Sequence, residues 1–467
     1  MSHVRTDASP LHVAIVGAGP AGFYAAECLL RHDGVAVDLF DRLPTPFGLV
    51  RSGVAPDHQK IKNVTRVFER VADHPRFRFF GNVCFGEHLT LADVAEHYHQ
   101  VLFTTGAQTD RSLGIPGEDL PGSHSATEFV AWYNGHPEFR DCAFDLRCER
   151  AVVVGVGNVA VDVARILCRT PDELAATDIA DYALDALRES RVREVVLLGR
   201  RGPLQAAFTY PEVKELGEME DADVLARPEE VALDPLSEAE LEAAQDRQAT
   251  KQVALLQDYA ERSPSGKRRR IVLRFLVSPT EILGNDRVEG VRIVRNELVD
   301  DGSDRLRPRP TGETEEIEAG LVFRSVGYRG VALTGVPFDE RRGIVPNEGG
   351  RVTDADGTPI PGLYVAGWIK RGPSGVIGTN KPDAHETANA MLEDADRGVT
   401  LGPAAPDAEA AERLVRTRQP ACFDYADWRR LDAHEVALGE AAGRPRVKLT
   451  SVEDMLATLR RTPRAPA

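Results

Sequence analysis

Short apolar runs that end at a glycine or a polar residue recur along the chain and predict the strands of buried parallel sheets. Residues 13–16 form such a run, which leads through a glycine-rich turn into a helical pattern over 23–30. Residues 35–40 form the next run. Apolar runs of this length are typical of strands that are covered on both faces. The succession of strand, turn, helix and strand predicts an α/β fold with a Rossmann-like unit at its beginning.

The turn between the first strand and its helix has glycines at the spacing GxGxxG, at Gly17, Gly19 and Gly22. In dinucleotide-binding units the first glycine permits the tight turn, the second lets the backbone approach a pyrophosphate, and the third lets helix and strand pack closely. Asp41 follows the second strand, where a carboxylate can accept hydrogen bonds from both ribose hydroxyls. We therefore predict a nucleotide site; the alternative is a glycine turn that binds nothing.

The same pattern returns at 151–160 as an apolar run and a GxGxxA turn. The following strand, 193–198, ends not in an acid but in Arg200 and Arg201. Two guanidinium groups offer charge-assisted hydrogen bonds to a 2′-phosphate, which a carboxylate at this place would repel. The second site is predicted to prefer NADP(H) over NAD(H); the alternative is a pair of solvated surface arginines.

The segments between these units predict how the chain is divided. Residues 109–150 are punctuated by proline and glycine and are interpreted as a crossing between domains, and an apolar run ending at Gly327 is interpreted as the return. Residues 43–62 are too broken for a regular element and too apolar for a solvated linker, so we expect a loop that lies over a cofactor ring. The tail from about residue 404 is predicted to be helical.

Composition excludes several classes of protein. The formal net charge of -16 argues against nucleic acid as the main partner, because phosphate contacts need a basic face. No apolar stretch approaches the ~18 residues of a membrane span. The first strand begins near residue 11 and leaves no room for a signal or transit peptide, so a cytoplasmic location is expected.

The cysteines exclude redox chemistry on closely spaced thiols. None of the six forms a C-x-x-C or C-x4-C pair, which argues against a dithiol relay, a zinc knuckle and a cluster with closely spaced ligands. No metal site is predicted. Redox chemistry in this chain must therefore use a bound cofactor. The cysteines are Cys28, Cys84, Cys142, Cys148, Cys168 and Cys422.

Six motifs in order resemble the adrenodoxin reductase-like ferredoxin-NADP reductases, which are flavoproteins with two dinucleotide-binding domains. The resemblance covers nearly the whole chain. It implies a discontinuous FAD domain at 1–110 and 331–467, with an NADP domain inserted at 111–330. The motifs are GAGPAG at 17–22, PFGLVRSGVAPDHQKIK at 46–62, GVGNVAVDVAR at 155–165, GRRGP at 199–203, FTYPEVKEL at 208–216 and GLYVAGWIKRGPSGVIGTNKPDA at 362–384.

The resemblance also implies a set of site residues. Asp41 stands where the family commonly has the longer Glu. His58 and Glu215 match positions that the family places near the flavin, where they tune proton and electron transfer. The residues implied for FAD are Ala18, Asp41, Leu49, Val83, Trp368, Gly375, Val376 and Ile377. The residues implied for NADP are Arg111, Gly157, Asn158, Val159, Ala160, Arg200, Arg201, Glu212 and Gly375.

These parts predict an FAD-dependent oxidoreductase that passes a hydride from NADPH to flavin and then single electrons to a ferredoxin-type iron-sulfur protein. Arg51, Lys370 and Arg371 are expected to form a basic docking patch for that partner, with Arg268–Arg270 as a weaker candidate. A dithiol-disulfide reductase needs a cysteine pair that the chain lacks. A flavin monooxygenase and a non-catalytic FAD- and NADP-binding scaffold remain as alternatives.

Overall fold

The computed structural model describes residues 10–302, 305–404 and 406–461. Its contacts divide the chain into two compact units. The first unit consists of residues 1–109 with 328–467, and the second consists of residues 110–327.

The first segment of the first unit begins with the strand and helix that flank the first glycine turn. The elements up to the crossing are β1 (Leu11–Val16), α1 (Pro20–Leu30), β2 (Val35–Phe40), α2 (Leu49–Ser52), α3 (Gln59–Lys62), α4 (Thr65–Ala72), β3 (Phe77–Phe80), α5 (Leu91–His97), β4 (Gln100–Phe103) and β5 (Thr109–Asp110).

The second unit follows. Its elements are β6 (Ser123–Ser125), α6 (Ala126–Tyr133), β7 (Arg150–Val154), α7 (Asn158–Cys168), α8 (Pro171–Ala175), α9 (Asp181–Arg188), β8 (Glu194–Leu198), α10 (Tyr210–Leu216), β9 (Ala222–Ala226), α11 (Pro228–Val231), α12 (Pro235–Ala244), α13 (Arg247–Glu261), β10 (Arg269–Arg274), β11 (Val277–Leu283), β12 (Gly290–Val299), β13 (Arg307–Glu318) and β14 (Leu321–Arg324).

The chain then returns to the first unit and ends in helices. The remaining elements are β15 (Tyr328–Arg329), β16 (Asn347–Glu348), β17 (Arg351–Thr353), β18 (Pro359–Val365), α14 (Trp368–Arg371), α15 (Asn380–Asp396), α16 (Ala408–Arg418), α17 (Tyr425–Ala441) and α18 (Val452–Arg461).

The first unit is built on a seven-stranded sheet in the order β16-β17-β18-β4-β1-β2-β3. The central strand β1 is parallel to both β2 and β4, and its residues are almost all buried. Helices α1 and α15 cover the same apolar cluster, in which Phe23 stacks on Phe68. The carboxyl ends of β1, β2 and β4 therefore lie side by side at one edge, where open α/β sheets bind ligands.

The second unit has a six-stranded, parallel sheet in the order β6-β14-β7-β8-β10-β9. An antiparallel sheet of β11, β12 and β13 packs its apolar residues against strands β7, β8 and β14. The expected α/β fold and its helical C-terminal region are thus confirmed. The sheet of the first unit is mixed, because β17 pairs antiparallel with both β16 and β18.

Residues 43–62 differ from the sequence prediction. They were expected to lack regular structure, but they contain the two short helices α2 and α3. The conformation of Gly48, with φ of +48°, lets the chain turn into α2. Proline and glycine here separate short helical turns instead of abolishing them.

Candidate functional site

At two positions of the glycine turn after β1, packing leaves no room for a side chain, whereas a third position faces open space. Gly17 has φ of +112°, and a Cβ built on it would lie 2.6 Å from the carbonyl oxygen of Thr104. A Cβ on Gly22 would lie 2.3 Å from the carbonyl oxygen of Gly17. Gly19 precedes α1 and has no atom within 4 Å of its Cβ position. The open space lies beside unpaired N–H groups of the first helical turn, which fits a pyrophosphate.

Asp41 is fixed beside this turn by backbone donors. The N–H of Ala18 donates to Oδ2 at 2.6 Å, and the N–H of Leu43 donates to Oδ1 at 2.9 Å. Burial raises the pKa of Asp41, and these two hydrogen bonds only partly oppose the rise. Each carboxylate oxygen accepts one of these hydrogen bonds and has lone pairs left for ribose hydroxyls. The buried Val83 donates its N–H to the Asp41 carbonyl at 2.8 Å, which brings it to the same strand end.

The segment that contains Leu49 packs directly on the glycine turn. The N–H of Phe47 donates to the carbonyl of Ala18 at 2.8 Å, and a Cβ on Gly48 would lie 2.9 Å from the Cα of Gly19. Leu49 follows as the first residue of α2 and leaves 37% of its surface exposed. An exposed leucine beside a nucleotide turn suits contact with the apolar part of a bound cofactor.

The last strand of the first unit also ends at this turn. Gly367, which follows β18, has φ of +79°, and a Cβ on it would lie 2.8 Å from the Cβ of Ala21 in α1. Trp368 begins α14, packs against Tyr328 in a tilted arrangement with 5.3 Å between ring centroids, and donates its indole N–H to the carbonyl of Ser374. The structure therefore places Trp368 on the same side of the sheet edge as the first glycine turn.

Residues 375–377 lead into α15. Gly375 has φ of +80°, and a Cβ on it would lie 2.4 Å from Oγ1 of Thr379. Val376 is 51% exposed, and Ile377 is partly buried against the core of the first unit. This segment thus presents exposed backbone and an exposed apolar side chain immediately before a long helix.

The prediction that Arg51, Lys370 and Arg371 form an exposed docking patch is wrong. The Arg51 side chain is 10% exposed and forms an ion pair with the fully buried Glu435. Lys370 is 8% exposed, and its Nζ lies 3.1 Å from Asp383. Arg371 contacts Ser374 and lies 3.8 Å from Asp383. These cations stabilise the fold of the first unit, because each interacts with a carboxylate or carbonyl group of the same unit.

The weaker candidate, 268–270, is also largely engaged within its own unit. Arg269 donates to the carbonyl of Arg169, and Arg270 forms an ion pair with Glu194. Both residues lie at the start of β10. Within the part of the chain that the structure describes, the Arg268 side chain makes no hydrogen bond or ion pair.

The second glycine turn repeats the geometry of the first. Gly155 has φ of +132°, and a Cβ on it would lie 2.2 Å from the carbonyl oxygen of Ser325. Gly157 precedes α7 and has no atom within 4 Å of its Cβ position. Ala160, at the place of the third glycine, is fully buried. Asn158 accepts the N–H of Thr209 at 2.8 Å through its side chain. This turn, too, leaves room for a phosphate at a helix N-terminus.

Arg200 and Arg201 follow β8 and lie near a third cation, Arg305, with Glu240 as an acidic neighbour of Arg201. Arg200 is exposed, and Arg201 is partly buried. Burial lowers the pKa of Arg201, and the positive charges of Arg200 and Arg305 lower it further. A bound anion would relieve this repulsion, so the arrangement fits a phosphate group. Arg111 is an exposed residue of the same unit, held by its backbone N–H to the carbonyl of Gly327 at 3.1 Å.

Glu212 has a partner that sequence reasoning missed. It lies on α10, and its carboxylate is 3.6 Å from the guanidinium of Arg165, which is fully buried and also pairs with Asp162 at 2.6 Å. A buried arginine on an otherwise apolar helix needs acidic neighbours, which is the only sequence signal for this pair. Glu215 is exposed on the same helix.

His58 belongs to the first unit, whereas Glu212 and Glu215 belong to the second. His58 is the residue before α3, donates its backbone N–H to the carbonyl of Ala55 and does not cap the helix with its side chain.

The thiols are chemically quiet. All six cysteines are free. Burial raises the pKa of both Cys168 and Cys422 to about 12, so neither is a thiolate near neutral pH.

Within the described residues, none of the helices combines the length and the apolar character that a membrane span requires.

Comparisons with known proteins agree with this geometry. A family model described as "Pyridine nucleotide-disulphide oxidoreductase" matches residues 11–200. The chain is 50% identical to the NADPH-ferredoxin reductase FprA of Mycobacterium tuberculosis over 96% of this chain and 98% of that protein. It is 42% identical to the mitochondrial NADPH:adrenodoxin oxidoreductase of Arabidopsis thaliana, over 96% of this chain and 95% of that protein.

Solved structures show the same similarity. Mycobacterium tuberculosis FprA in complex with NADPH matches with a TM-score of 0.91 at 49% identity, over 96% of this chain and 99% of that chain. The fold and the two nucleotide turns define an oxidoreductase of the pyridine nucleotide-disulphide class. Within that class, the chain belongs to the adrenodoxin reductase-like family of ferredoxin-NADP reductases. The family resemblance drawn from the six motifs is therefore confirmed.

Proposed function

We propose that this protein is an NADPH-ferredoxin reductase with FAD in the first unit and NADP(H) in the second. The observation that carries the proposal is the contrast between two similar glycine turns. After the first glycine turn, the next strand is followed by the carboxylate Asp41. After the second glycine turn, the next strand is followed by the cations Arg200 and Arg201. These partners suit a free ribose and a 2′-phosphorylated ribose, respectively.

The first unit holds FAD with residues that lie around one sheet edge. The N-terminus of α1 and the open space at Gly19 accept the pyrophosphate, and Asp41 accepts the ribose hydroxyls. Bound flavin accepts two electrons from a nicotinamide and releases them one at a time. The proposed FAD contacts are Gly17, Ala18, Gly19, Gly22, Asp41, Leu49, Val83, Trp368, Gly375, Val376 and Ile377.

The second unit holds the nicotinamide nucleotide. The turn at Gly157 faces the pyrophosphate, and the guanidinium groups of Arg200 and Arg201 donate to the 2′-phosphate. Glu212 is proposed as a contact from the family motif, and its ion pair with Arg165 fixes the position of its carboxylate. The proposed NADP contacts are Arg111, Gly157, Asn158, Val159, Ala160, Arg200, Arg201 and Glu212.

We assign proton handling to His58 and Glu215. An imidazole and a carboxylate are the side chains that exchange protons most readily near neutral pH when they are suitably placed. His58 directly precedes α3, and Glu215 is an exposed residue in the last turn of α10.

The partner is a ferredoxin-type iron-sulfur protein. Relatives at 50% and 47% identity are named NADPH-ferredoxin reductase and probable ferredoxin/ferredoxin--NADP reductase. The chain has no thiol pair that could take over electrons itself, and the thiols of Cys168 and Cys422 are held protonated by burial. An external one-electron acceptor is the simplest outlet for a reduced flavin.

The test is anaerobic titration of the purified yellow protein with NADPH, followed by addition of a ferredoxin. We expect NADPH to bleach the flavin absorbance near stoichiometrically, NADH to do so poorly, and the ferredoxin to restore the colour. A flavin spectrum that stays oxidised would indicate a non-catalytic scaffold. Bleaching that only oxygen and a small substrate reverse would indicate a monooxygenase.

We place the protein in the cytoplasm. The support is the free state of all six cysteines, which is typical of a reducing compartment. Fractionation of cells that carry an epitope-tagged full-length chain tests this location, and recovery of the tagged protein outside the cytoplasmic fraction would contradict it.

A further inference from the structure

The two arginines after β8 sit in a turn whose backbone is held by three consecutive hydrogen bonds. The carbonyl of Gly199 accepts the N–H of Val277 at 3.0 Å, and the carbonyl of Arg201 accepts the N–H of Leu276 at 3.0 Å. The carbonyl between them, that of Arg200, instead accepts a side-chain amide, Nδ2 of Asn296, at 2.9 Å. One side chain from 96 positions away thus completes the support of this turn.

Asn296 is built into the fold to make this contact. It is 2% exposed, and its own N–H donates to the carbonyl of Leu276 at 2.7 Å. Its Nδ2 donates a second hydrogen bond to Oγ of Ser278 at 2.8 Å. The amide orientation is defined, because rotating it would place its oxygen against the carbonyl oxygen of Arg200.

The surrounding backbone directs Asn296 towards the turn. The pairing of β12 with β13 shifts register between Val294 and Asn296, so the regular ladder is interrupted next to Asn296. Leu276, the partner of both Asn296 and Arg201, has φ of +56°, a conformation rarely adopted by a residue with a branched side chain. A strained residue and an interrupted strand pairing that meet at one turn indicate that the geometry of this turn matters.

We propose that Asn296 is a positioning residue that sets the preference of the second unit for 2′-phosphorylated nucleotides by fixing the Arg200–Arg201 turn. This inference rests on the proposed function, since it concerns the same nucleotide site. Asn296 acts through the turn. Because it holds the Arg200 carbonyl, it fixes the backbone positions from which both arginine side chains extend. Donors that must converge on one phosphate lose much of their effect when misplaced by about 1 Å.

The test compares Asn296→Ala with Ser278→Ala, which removes the other partner of the same amide without touching the arginine turn. The probes are adenosine 2′,5′-bisphosphate and AMP, whose affinities for the flavin-loaded protein are measured by calorimetry. We expect Asn296→Ala to weaken binding of the bisphosphate about tenfold and to leave AMP binding unchanged. In turnover, the KM for NADPH should rise with little change in kcat or in NADH kinetics. Ser278→Ala should leave the ratio of bisphosphate affinity to AMP affinity within about twofold of the wild-type ratio.

A double-mutant cycle separates positioning from a general structural effect. In an Arg200→Gln, Arg201→Gln background, Asn296→Ala should cause no further loss of bisphosphate affinity, because its effect acts through those side chains. If Asn296→Ala does not fold, Asn296→Leu, which keeps the side-chain volume but has no donor for the Arg200 carbonyl, replaces it in the same comparison.

The outcomes distinguish the two proposals. A wild-type protein that binds the bisphosphate no more tightly than AMP would overturn the assignment of NADP(H) to this unit. A wild-type preference that survives Asn296→Ala, or that falls equally in Ser278→Ala, would overturn only the role of Asn296. An equal loss of AMP affinity would show a structural effect on the whole site and would also overturn it.

Discussion

Arg51 and Glu435 form a bidentate ion pair although 384 positions separate them, with N–O distances of 2.8 and 2.6 Å. The carboxylate is fully buried, and it also accepts the N–H of Leu449 at 2.8 Å. The guanidinium lies over the ring of Trp428, with Cζ 5.1 Å from the ring centroid. The pair therefore ties α2, beside the first glycine turn, to helix α17 in the second segment of the same unit.

Replacing Arg51 should affect stability, not partner docking. Arg51→Ala leaves the Glu435 carboxylate buried without its main counter-charge, which costs about 3 kcal/mol for a buried pair. We expect a lower urea midpoint and easier loss of FAD, with the salt dependence of ferredoxin reduction unchanged. Arg70→Ala, at an exposed position on α4, is the control and should change stability by less than about 0.5 kcal/mol. A change only in salt dependence would restore Arg51 as a docking residue.

The same pair predicts a dependence on pH. Burial alone would raise the pKa of Glu435, but the charge and hydrogen bonds of Arg51, with Arg446 and Leu449, more than offset it and the pKa is lowered. Its stabilisation is therefore present above the unfolded-state pKa of about 4.3 and is lost as pH falls towards the folded value. The melting-temperature difference between wild type and Glu435→Gln should shrink below that pH. A constant difference between pH 7 and 3.5 would contradict this.

The two kinds of glycine in the first turn should respond differently to substitution. Gly17→Ala adds a Cβ at a positive φ and against the Thr104 carbonyl, so the apoprotein should lose roughly 1–3 kcal/mol or fail to fold. Gly19→Ala adds a Cβ in open space, so the apoprotein should keep its stability but bind FAD more weakly. Thermal unfolding of the apoprotein and the FAD content measure the two effects. Equal FAD affinity for Gly19→Ala and wild type would show that the pyrophosphate does not bind at this turn.

The arginines after β8 should control the choice of nucleotide. Arg200→Gln with Arg201→Gln removes both charge-assisted donors, so kcat/KM with NADPH should fall by about 10- to 100-fold while that with NADH stays level. Steady-state rates with both nucleotides at fixed ionic strength give the ratio. Arg268→Gln, an exposed arginine elsewhere in the same unit, serves as the matched control. An unchanged ratio in the double variant would refute the assignment.

His58→Gln should slow electron delivery without releasing FAD. Glutamine keeps a polar side chain of similar length, so the fold at α3 should persist. Loss of a proton-transferring group typically lowers a rate by about 10²-fold or more. Single-turnover flavin reduction and ferredoxin reduction, followed across pH 5–9, separate the affected step. Release of flavin from the purified variant would show that His58 serves binding, not chemistry.

Much of the architecture could be read from local patterns. The spacing of Gly17, Gly19 and Gly22 predicted a turn in which the first and third glycines admit no Cβ, and the structure shows those clashes. Residues 43–62 were harder, because helices of four residues such as α2 and α3 are too short to show a period. The docking patch failed for another reason: exposure of a lysine or arginine is not encoded in its neighbours along the chain.

The sequence by itself determined the two nucleotide turns and the charge at the ends of their following strands, because backbone sterics and strand order act between residues close together in the chain. Only the tertiary structure decided that Arg51 and Lys370 are internal ion-pair partners and that Asn296 supports the Arg200 carbonyl. These contacts join positions separated by 384, 13 and 96 residues, respectively. Burial and pairing of this kind arise when elements pack, and no periodic pattern records which elements will meet.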